Sequence, residues 1–297
     1  MKIALATSRD LPELDADDRP YVAALKERKV DVTLPIWDDP NADWKADLVV
    51  IRSTWDYSER RDAFVDWAAR VDETTTLMNP SAMVDWNTDK KRYLTDLAAH
   101  RVPTVPTLWL DAPAKAPSSV KTKTELANLL RERGFAVDKG IVIKPVVGAG
   151  SRDTIRTSDL KEAQAFVDEQ LPKQALMVQP FLPRIQDGEV SLVFLDGVYS
   201  HSVKKKPRAG DFRSQPEFGS VIERHTPTTR ERDLADHTLH IMGARPLYAR
   251  VDLVIGLDDR PCLIELEVVE PCLYLGWSDD AGDAFAEATV RRVEHQR

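Results

Sequence analysis

At 297 residues the chain is long enough for more than one hydrophobic core, and 42% hydrophobic with 30% charged residues is an ordinary globular composition. A net charge of −8 argues against a protein that coats nucleic acid, although local basic clusters can still meet phosphate. No apolar run could span a bilayer and the opening MKIALATSRD is too short for a signal peptide, so cytoplasmic residence without membrane contact is expected.

In chain order, residues 2–6 read as a short buried strand, 17–28 as a helix spaced through Tyr21 and Leu25, 30–36 as a strand and 48–51 as another. This alternation predicts a parallel α/β sheet with crossovers. Open sheets of that kind gather ligands beyond the carboxyl ends of their strands. Two segments sit there, 7–10 and 52–57, which makes Arg9, Ser53, Thr54, Trp55, Asp56 and Tyr57 candidate substrate contacts. Simple capping of the core by Trp55 and Tyr57 is the competing account. No GxGxxG follows the first strand, which counts against a dinucleotide cofactor.

Asn79-Pro80 marks a boundary, and Thr88-Asp89-Lys90-Lys91 opens a helix over 88–99 that Pro103 and Pro106 stop. Residues 111–119 read as an exposed connector and 124–133 as a helix with Gly134 at its C-cap. Residues 141–145 form a buried strand ending in Lys144-Pro145, and Gly148-Ala149-Gly150-Ser151 follow. Glycines let backbone N–H groups approach phosphate, but a bare GxG also marks ordinary turns. The lysine is the better signal, because an ammonium at the end of a buried strand needs an anion. Residues 175–179 form a further strand, and Pro180-Phe181-Leu182-Pro183 can offer backbone groups and apolar walls to a purine. Glu189 opens a strand through Leu195. Lys204-Lys205-Lys206-Pro207-Arg208 and Asp211-Phe212-Arg213 read as one long cationic, mobile loop, with a solvated charge run as the plain alternative. His201 and His225 flank that loop and read as satisfied surface histidines, with contact to substrate as the alternative.

Residues 249–256 and 262–269 are apolar strands joined by a polar turn, interrupted by Asp252, Glu265 and Glu267. Strand alternation puts Glu265 and Glu267 on one face, where they can converge with Asp252 on a cation; an all-oxygen set favours Mg²⁺ or Mn²⁺ over zinc. A solvated face with the acids paired to cross-strand lysines or arginines explains the same residues equally well. Cys262 and Cys272 lack CxxC spacing and read as small buried side chains. A last helix over 283–293 is expected to pack on the C-terminal lobe.

Taken in order, these pieces resemble the ATP-grasp superfamily, and most of all its glutathione-synthetase and ribosomal-S6-modifying branch. The matching residues are Asp89-Lys90, Val102-Pro103, Ile143-Lys144-Pro145 with Gly148-Ala149-Gly150-Ser151, Gln179-Pro180-Phe181-Leu182 with Gly188-Glu189, Gly210-Asp211-Phe212-Arg213, Arg250-Val251-Asp252, and Glu265-Leu266-Glu267. The resemblance implies a mixed α/β ATP-grasp fold: an N-terminal parallel α/β domain over 1–86, a central lobe over 87–180 and a C-terminal lobe with the metal site over 181–297. It implies ATP with Mg²⁺, two ions with Mn²⁺ able to substitute. Lys90 and Lys144 would contact phosphates under a Gly148–Ser151 lid, and the backbone near Gln179, Phe181 and Leu182 would hold adenine. Glu189 would take the ribose, and Asp252, Glu265 and Glu267 the metal. Arg250, helped by Arg213, would stabilise the transferring phosphoryl group and the tetrahedral intermediate. The family usually has Asn where Glu267 stands, so an extra negative charge is expected here.

The implied activity is an ADP-forming carboxylate–amine ligase working through an acyl phosphate. IRSTWDY (51–57) and VDWNTDKKRYLTDLA (84–98) are similar to the group containing D-cycloserine synthetase. That implies ring closure of O-ureido-D-serine, a small amino-acid-like substrate, with Lys206 among its candidate contacts, and a place in antibiotic biosynthesis. The rival readings are a ligase joining an amino acid or peptide to a separate amine, and a nucleotide-binding regulatory module without turnover. The residues do not decide between a monomer and a homo-oligomer.

Overall fold

The computed structural model describes residues 1–112 and 125–295. Most of the connector expected at 111–119, and the first residue of the helix expected at 124–133, lie outside the described residues. Among the described residues three sheets organise the chain.

The first sheet has the order β2-β1-β3-β4, all parallel, from β1 (Lys2–Ala6), β2 (Asp31–Thr33), β3 (Leu48–Ile51) and β4 (Leu77–Met78). Helices α1 (Arg19–Glu27), α2 (Arg61–Thr74) and α3 (Ser81–Asn87) accompany it. β1 and β3 are almost wholly buried apolar runs, as expected of central parallel strands covered on both faces. Helix α4 (Lys90–Ala99) follows, with the Asp89 side chain capping its first turn by accepting from Arg92 N.

The second sheet has the order β5-β8-β6-β7, from β5 (Leu108–Leu110), β6 (Ile141–Pro145), β7 (Ile155–Thr157) and β8 (Leu176–Pro180). All its pairings are antiparallel, and α5 (Glu125–Glu132) and α6 (Leu160–Gln170) pack against it through Leu126, Leu130, Ala163 and Val167. Gly134 carries φ +70°, the left-handed turn by which α5 ends.

The third sheet has the order β11-β10-β9-β12-β13, from β9 (Glu189–Leu195), β10 (Val198–Lys206), β11 (Val221–Arg224), β12 (Tyr248–Ile255) and β13 (Pro261–Glu267). Here the sequence reading is corrected. Lys204, Lys205 and Lys206 are not loop residues; they belong to β10, Lys204 and Lys205 pairing with both β9 and β11 and Lys206 with β11. Alternation sends Lys205 into the interior while Lys204 and Lys206 stay half-buried. Helix α7 (Thr229–Ile241) begins with a capping box between Thr228 and Glu231, a T-x-x-E signature.

The last helix, α8 (Ala281–Glu294), also differs from expectation. It touches β9, but its main seat is α1 of the N-terminal sheet. Tyr21 stacks on Phe285 at 3.9 Å and its hydroxyl meets Thr289 Oγ1 at 2.9 Å. Gly282 makes the close approach feasible: a Cβ there would fall 2.6–2.9 Å from Pro20 atoms, including its backbone. The chain's two ends are therefore locked together, and they carry the N-terminal sheet against the third one.

Among the described residues no helix is long and apolar enough to cross a membrane. Both cysteines are free thiols.

Candidate active site

β12 and β13 pair in a register that sets Arg250 opposite Glu267 and Asp252 opposite Glu265. Alternation along each strand turns all four side chains to one face. One oxygen from each of Asp252, Glu265 and Glu267 then lies within 4.8 Å of the others. On the neighbouring β9, Ser191 stands opposite Asp252 and donates its hydroxyl to Asp252 Oδ1. Such an oxygen-only set suits a hard divalent cation.

The chain also supplies counter-charges of its own. The Arg250 guanidinium holds both Asp252 oxygens at 2.9–3.1 Å and reaches Glu267 Oε1 at 2.5 Å. Lys90 Nζ sits 3.1 Å from Glu265 and 2.8 Å from the Gly148 carbonyl. Buried Lys205 pairs with Glu189 and lies 3.6 Å from Asp252. The pairing of these acids to lysines and arginines is therefore met, in an arrangement whose oxygens also converge as a cation would require.

The electrostatics follow. Burial opposes ionisation of Asp252, but Arg250 and Lys205 outweigh it and hold the carboxyl below its usual range. For Glu265 burial is again outweighed, here by Lys90 and Lys144. Glu267 goes the other way: burial prevails over Arg250 and, with the charges of Glu265 and Asp252, pushes it up to about 7. Lys144 is lowered by burial, with the Lys90 charge adding to the effect against Glu265. Among the described residues no carboxylate lies within 4.0 Å of the Lys144 ammonium. A buried ammonium left this way favours an incoming anion.

These groups line one cavity of about 670 Å³. Lys90, Lys144 and the Gly148, Ala149, Gly150 and Ser151 loop bound it, as do Gln179, Glu189, Arg213, Arg250 and the three acids. Phe181 and Leu182 border an apolar part of it with Val105, Ile185, Phe212 and Ile264. The Phe181 N–H is already donated to the Gly140 carbonyl at 2.9 Å, and its ring lies 3.5 Å beneath the Arg156 guanidinium carbon. The Leu182 N–H makes no hydrogen bond among the described residues, which leaves it available to a ligand acceptor. Arg213 lines the cavity but turns its guanidinium onto Asp211, at 2.8–3.0 Å, and over the Phe218 ring.

The N-terminal candidates divide. Trp55 and Tyr57 reach the cavity. Arg9, Ser53, Thr54, Asp56 and Lys206 do not, which corrects their reading as substrate contacts. Arg9 pairs with Asp38 at 3.2 Å, Asp56 is held by Trp37 and Arg60, and Lys206 pairs with Glu223 at 2.7 Å. Ser53 bridges Asp15 N and the Asp18 carboxylate, and Thr54 is fully buried. Their neighbour Arg52 is likewise structural, bonded to Asp18 at 2.7 Å and to the Pro271 carbonyl at 2.9 Å.

Several site residues escaped the sequence reading. Lys205 was legible only through period-two alternation in SHSVKKK. Tyr274 lines the cavity with Lys205 and Arg250 facing its ring. Glu270 also lines it, 7% exposed and pushed up to about 8 by burial and then by Glu267. Nothing in the sequence marks Asn79 and Asn87 as braces. The Asn79 amide bonds Tyr248 O, Val268 O and Leu247 N, and Asn87 bonds Leu266 O and Val268 N, either side of Glu267. His201 is buried rather than on the surface: its Nε2 meets the Leu273 and Tyr274 carbonyls at 3.0 and 3.1 Å.

Comparison with known proteins adds the following. Residues 3–79 match the family described as D-cycloserine synthetase DcsG, N-terminal domain, and residues 114–274 match prokaryotic glutathione synthetase, ATP-grasp domain. The cycloserine biosynthesis protein DcsG of Streptomyces lavendulae is 33% identical, over 98% of this chain and 99% of that protein. A glutathione synthetase of Prochlorococcus marinus is 27% identical over 52% of this chain and 49% of its own length. The crystal structure of D-cycloserine synthetase DcsG superposes with a TM-score of 0.86 at 30% identity, covering 99% of this chain and 100% of that one. D-alanine–D-alanine ligase from Bacillus anthracis, solved with ATP, gives 0.68 at 13% identity over the full length of both, a likeness of fold alone.

Proposed function

Since this chain belongs to the D-cycloserine synthetase family of ATP-grasp ligases, we propose that it closes the ring of D-cycloserine by ATP-dependent C–N bond formation on O-ureido-D-serine. The observation that carries the reading is the single cavity in which two lysines face three convergent carboxylates beside an apolar slot. A triphosphate, a divalent cation and a purine would each find its chemistry there.

The oxygen-only trio fits a divalent cation. Asp252, Glu265 and Glu267 would hold Mg²⁺, as two ions with Mn²⁺ able to replace them. When bound, the metal supplies charge neutralisation and orientation to the phosphates. Lys144 and Lys90 bring ammonium groups to phosphate oxygens, Glu189 takes the ribose, and the Leu182 N–H takes an adenine acceptor. The substrate carboxylate attacks the γ-phosphorus and ADP leaves. The substrate's own oxyamine nitrogen then attacks the acyl phosphate and phosphate departs, while water takes up the carbamoyl group in a separate hydrolysis that yields CO₂ and ammonia. Arg250, relieved of part of its load once metal charge sits on the acids, stabilises the oxygens that gain charge in both steps. The Gly148–Ser151 loop and the segment bearing Arg213 close over the nucleotide and keep water from the acyl phosphate. No protein nucleophile is required.

The division into 1–86, 87–180 and 181–297, action in the cytoplasm, and independence of nucleic acid and membrane belong to the same proposal. Incubation with ATP, Mg²⁺ and O-ureido-D-serine should release ADP and give a product of the mass of D-cycloserine. ADP release only with another amino acid and a separate amine would move the substrate elsewhere in the family. No ADP with any amino acid would leave a nucleotide-binding regulatory module.

A further inference from the structure

The acids that line the cavity differ in what they already hold. Glu189 has Lys205, Asp252 has Arg250 and Lys205, Glu265 has Lys90, and Glu267 has Arg250. Glu270 is as buried as any of these except Asp252, yet among the described residues no cationic side chain lies within 4.0 Å of it. Its neighbour is neutral, the Tyr57 hydroxyl. Its main chain is anchored by Trp55 Nε1, which donates to the Glu270 carbonyl at 2.9 Å. The N-terminal sheet thus contributes two aromatic side chains around a carboxylate that the third sheet delivers, three positions beyond Glu267.

A buried carboxylate open to a cavity and lacking a counter-charge is costly unless a ligand brings one. Aromatic walls favour the same ligand, since ring faces attract cations. An α-amino acid whose carboxylate sits beside Arg250 and the acid trio carries its ammonium one carbon away, and Glu270 lines the same cavity near enough to Glu267 for their charges to interact. We infer that Glu270 is the residue that binds the substrate's α-ammonium, with Tyr57 and Trp55 as its walls, and that it makes the enzyme select α-amino acids over simple carboxylic acids. This rests on the amino-acid ligase reading above. Asp15 also lines the cavity, but its side chain is engaged in capping Asp17 N at 2.9 Å.

The test compares O-ureido-D-serine with its desamino analogue, a 3-(ureidooxy)propionate, on the wild type and on Glu270→Gln. The wild type should prefer the amino acid on the order of 100-fold in kcat/KM, the scale of losing one partner of a buried charge pair. In the variant that preference should fall to within a few-fold, with KM for Mg-ATP unchanged. Glu270→Asp, which keeps the charge, should retain part of the preference. A wild type that does not discriminate, or a Glu270→Gln protein that loses both substrates by the same factor, overturns the assignment. So does transfer of the effect to Asp15→Asn. Should Glu270→Gln not fold, calorimetric titration of the wild type and Glu270→Asp with both ligands, in the presence of a non-hydrolysable ATP analogue, decides the matter: a preference unchanged by the shorter acid overturns the assignment. Absence of ADP release from the wild type with every amino acid is a different result, and it removes the function itself.

Discussion

Arg250 closes its guanidinium on both carboxylate oxygens of Asp252, at 2.9–3.1 Å, with the two side chains only 8% and 1% exposed. They stand two residues apart on β12, so strand alternation alone gives them a common face. The second acid that Arg250 touches is Glu267, whose charge is met inside the protein at 2.5 Å from Nη2. An acidic cluster with its own counter-cations can persist without metal, and this shapes what removal of either partner should do.

Chelation of divalent metal should abolish turnover and leave the fold intact. Replacing Arg250 by Met strips Asp252 and Glu267 of their shared cation. Breaking a buried pair from one side costs about 3–5 kcal/mol, so the metal-free variant should melt well below the wild type. Added Mg²⁺ should raise the variant's Tm more than the wild type's. Equal shifts in scanning calorimetry would separate Arg250 from the acid trio.

Glu265→Gln removes one anionic ligand and leaves Lys90 without its 3.1 Å partner. Turnover should fall at least 100-fold at limiting Mg²⁺ with little change in far-UV circular dichroism, because the side chain is half-buried rather than core. Near-normal activity at low Mg²⁺ would exclude a ligand role.

Lys144→Ala should weaken ATP binding. The ammonium pays for its burial only when an anion arrives, so losing it costs affinity for nucleotide and not stability. We expect a Kd for ATP raised about 10- to 100-fold by fluorescence or calorimetric titration, scaled from charged hydrogen bonds. Unchanged affinity would take Lys144 out of the site.

Asn87→Ala leaves Leu266 O and Val268 N without partners on either side of Glu267. Unsatisfied buried backbone groups cost about 1–3 kcal/mol each. The variant should lose stability on that scale in urea, and its apparent Mg²⁺ requirement should rise because β13 no longer holds Glu267 in place. Stability lost with the Mg²⁺ dependence unmoved would confine Asn87 to the fold.

His201 sets a pH dependence. Burial lowers its pKa from the ordinary imidazole value of 6.5 and outweighs the two carbonyls its Nε2 meets, which act the other way. The unfolded chain then takes up its proton at higher pH than the folded one. Its contribution is present in full above about pH 6.5 and is lost as pH falls below that value. Between pH 7.5 and 5.5 the urea midpoint of the wild type should drop more than that of His201→Gln; parallel drops would clear His201 of the effect.

Much of this was readable before any coordinates. β1, β3, β6 and β9 begin and end where the sequence predicts, because buried strands are continuous apolar runs whose limits are local. The acids of β12 and β13 were legible for a related reason: a charge inside such a run must have a partner or a ligand. Lys205 was hidden inside a triplet that looks like a solvated run, since only pairing with β9 and β11 turns one lysine of the three inward.

By itself the sequence determined the strands, their alternating faces and the ordered motifs that carry the family, all of which depend on residues close together in the chain. Tertiary structure alone decided which charges meet. Arg9, Asp56 and Lys206 found surface acids, Trp55 and Tyr57 found Glu270, and α8 found α1. The reason is the range of the forces: backbone propensity acts over a few residues, whereas an ion pair or an aromatic stack joins whatever the fold brings within a few ångströms.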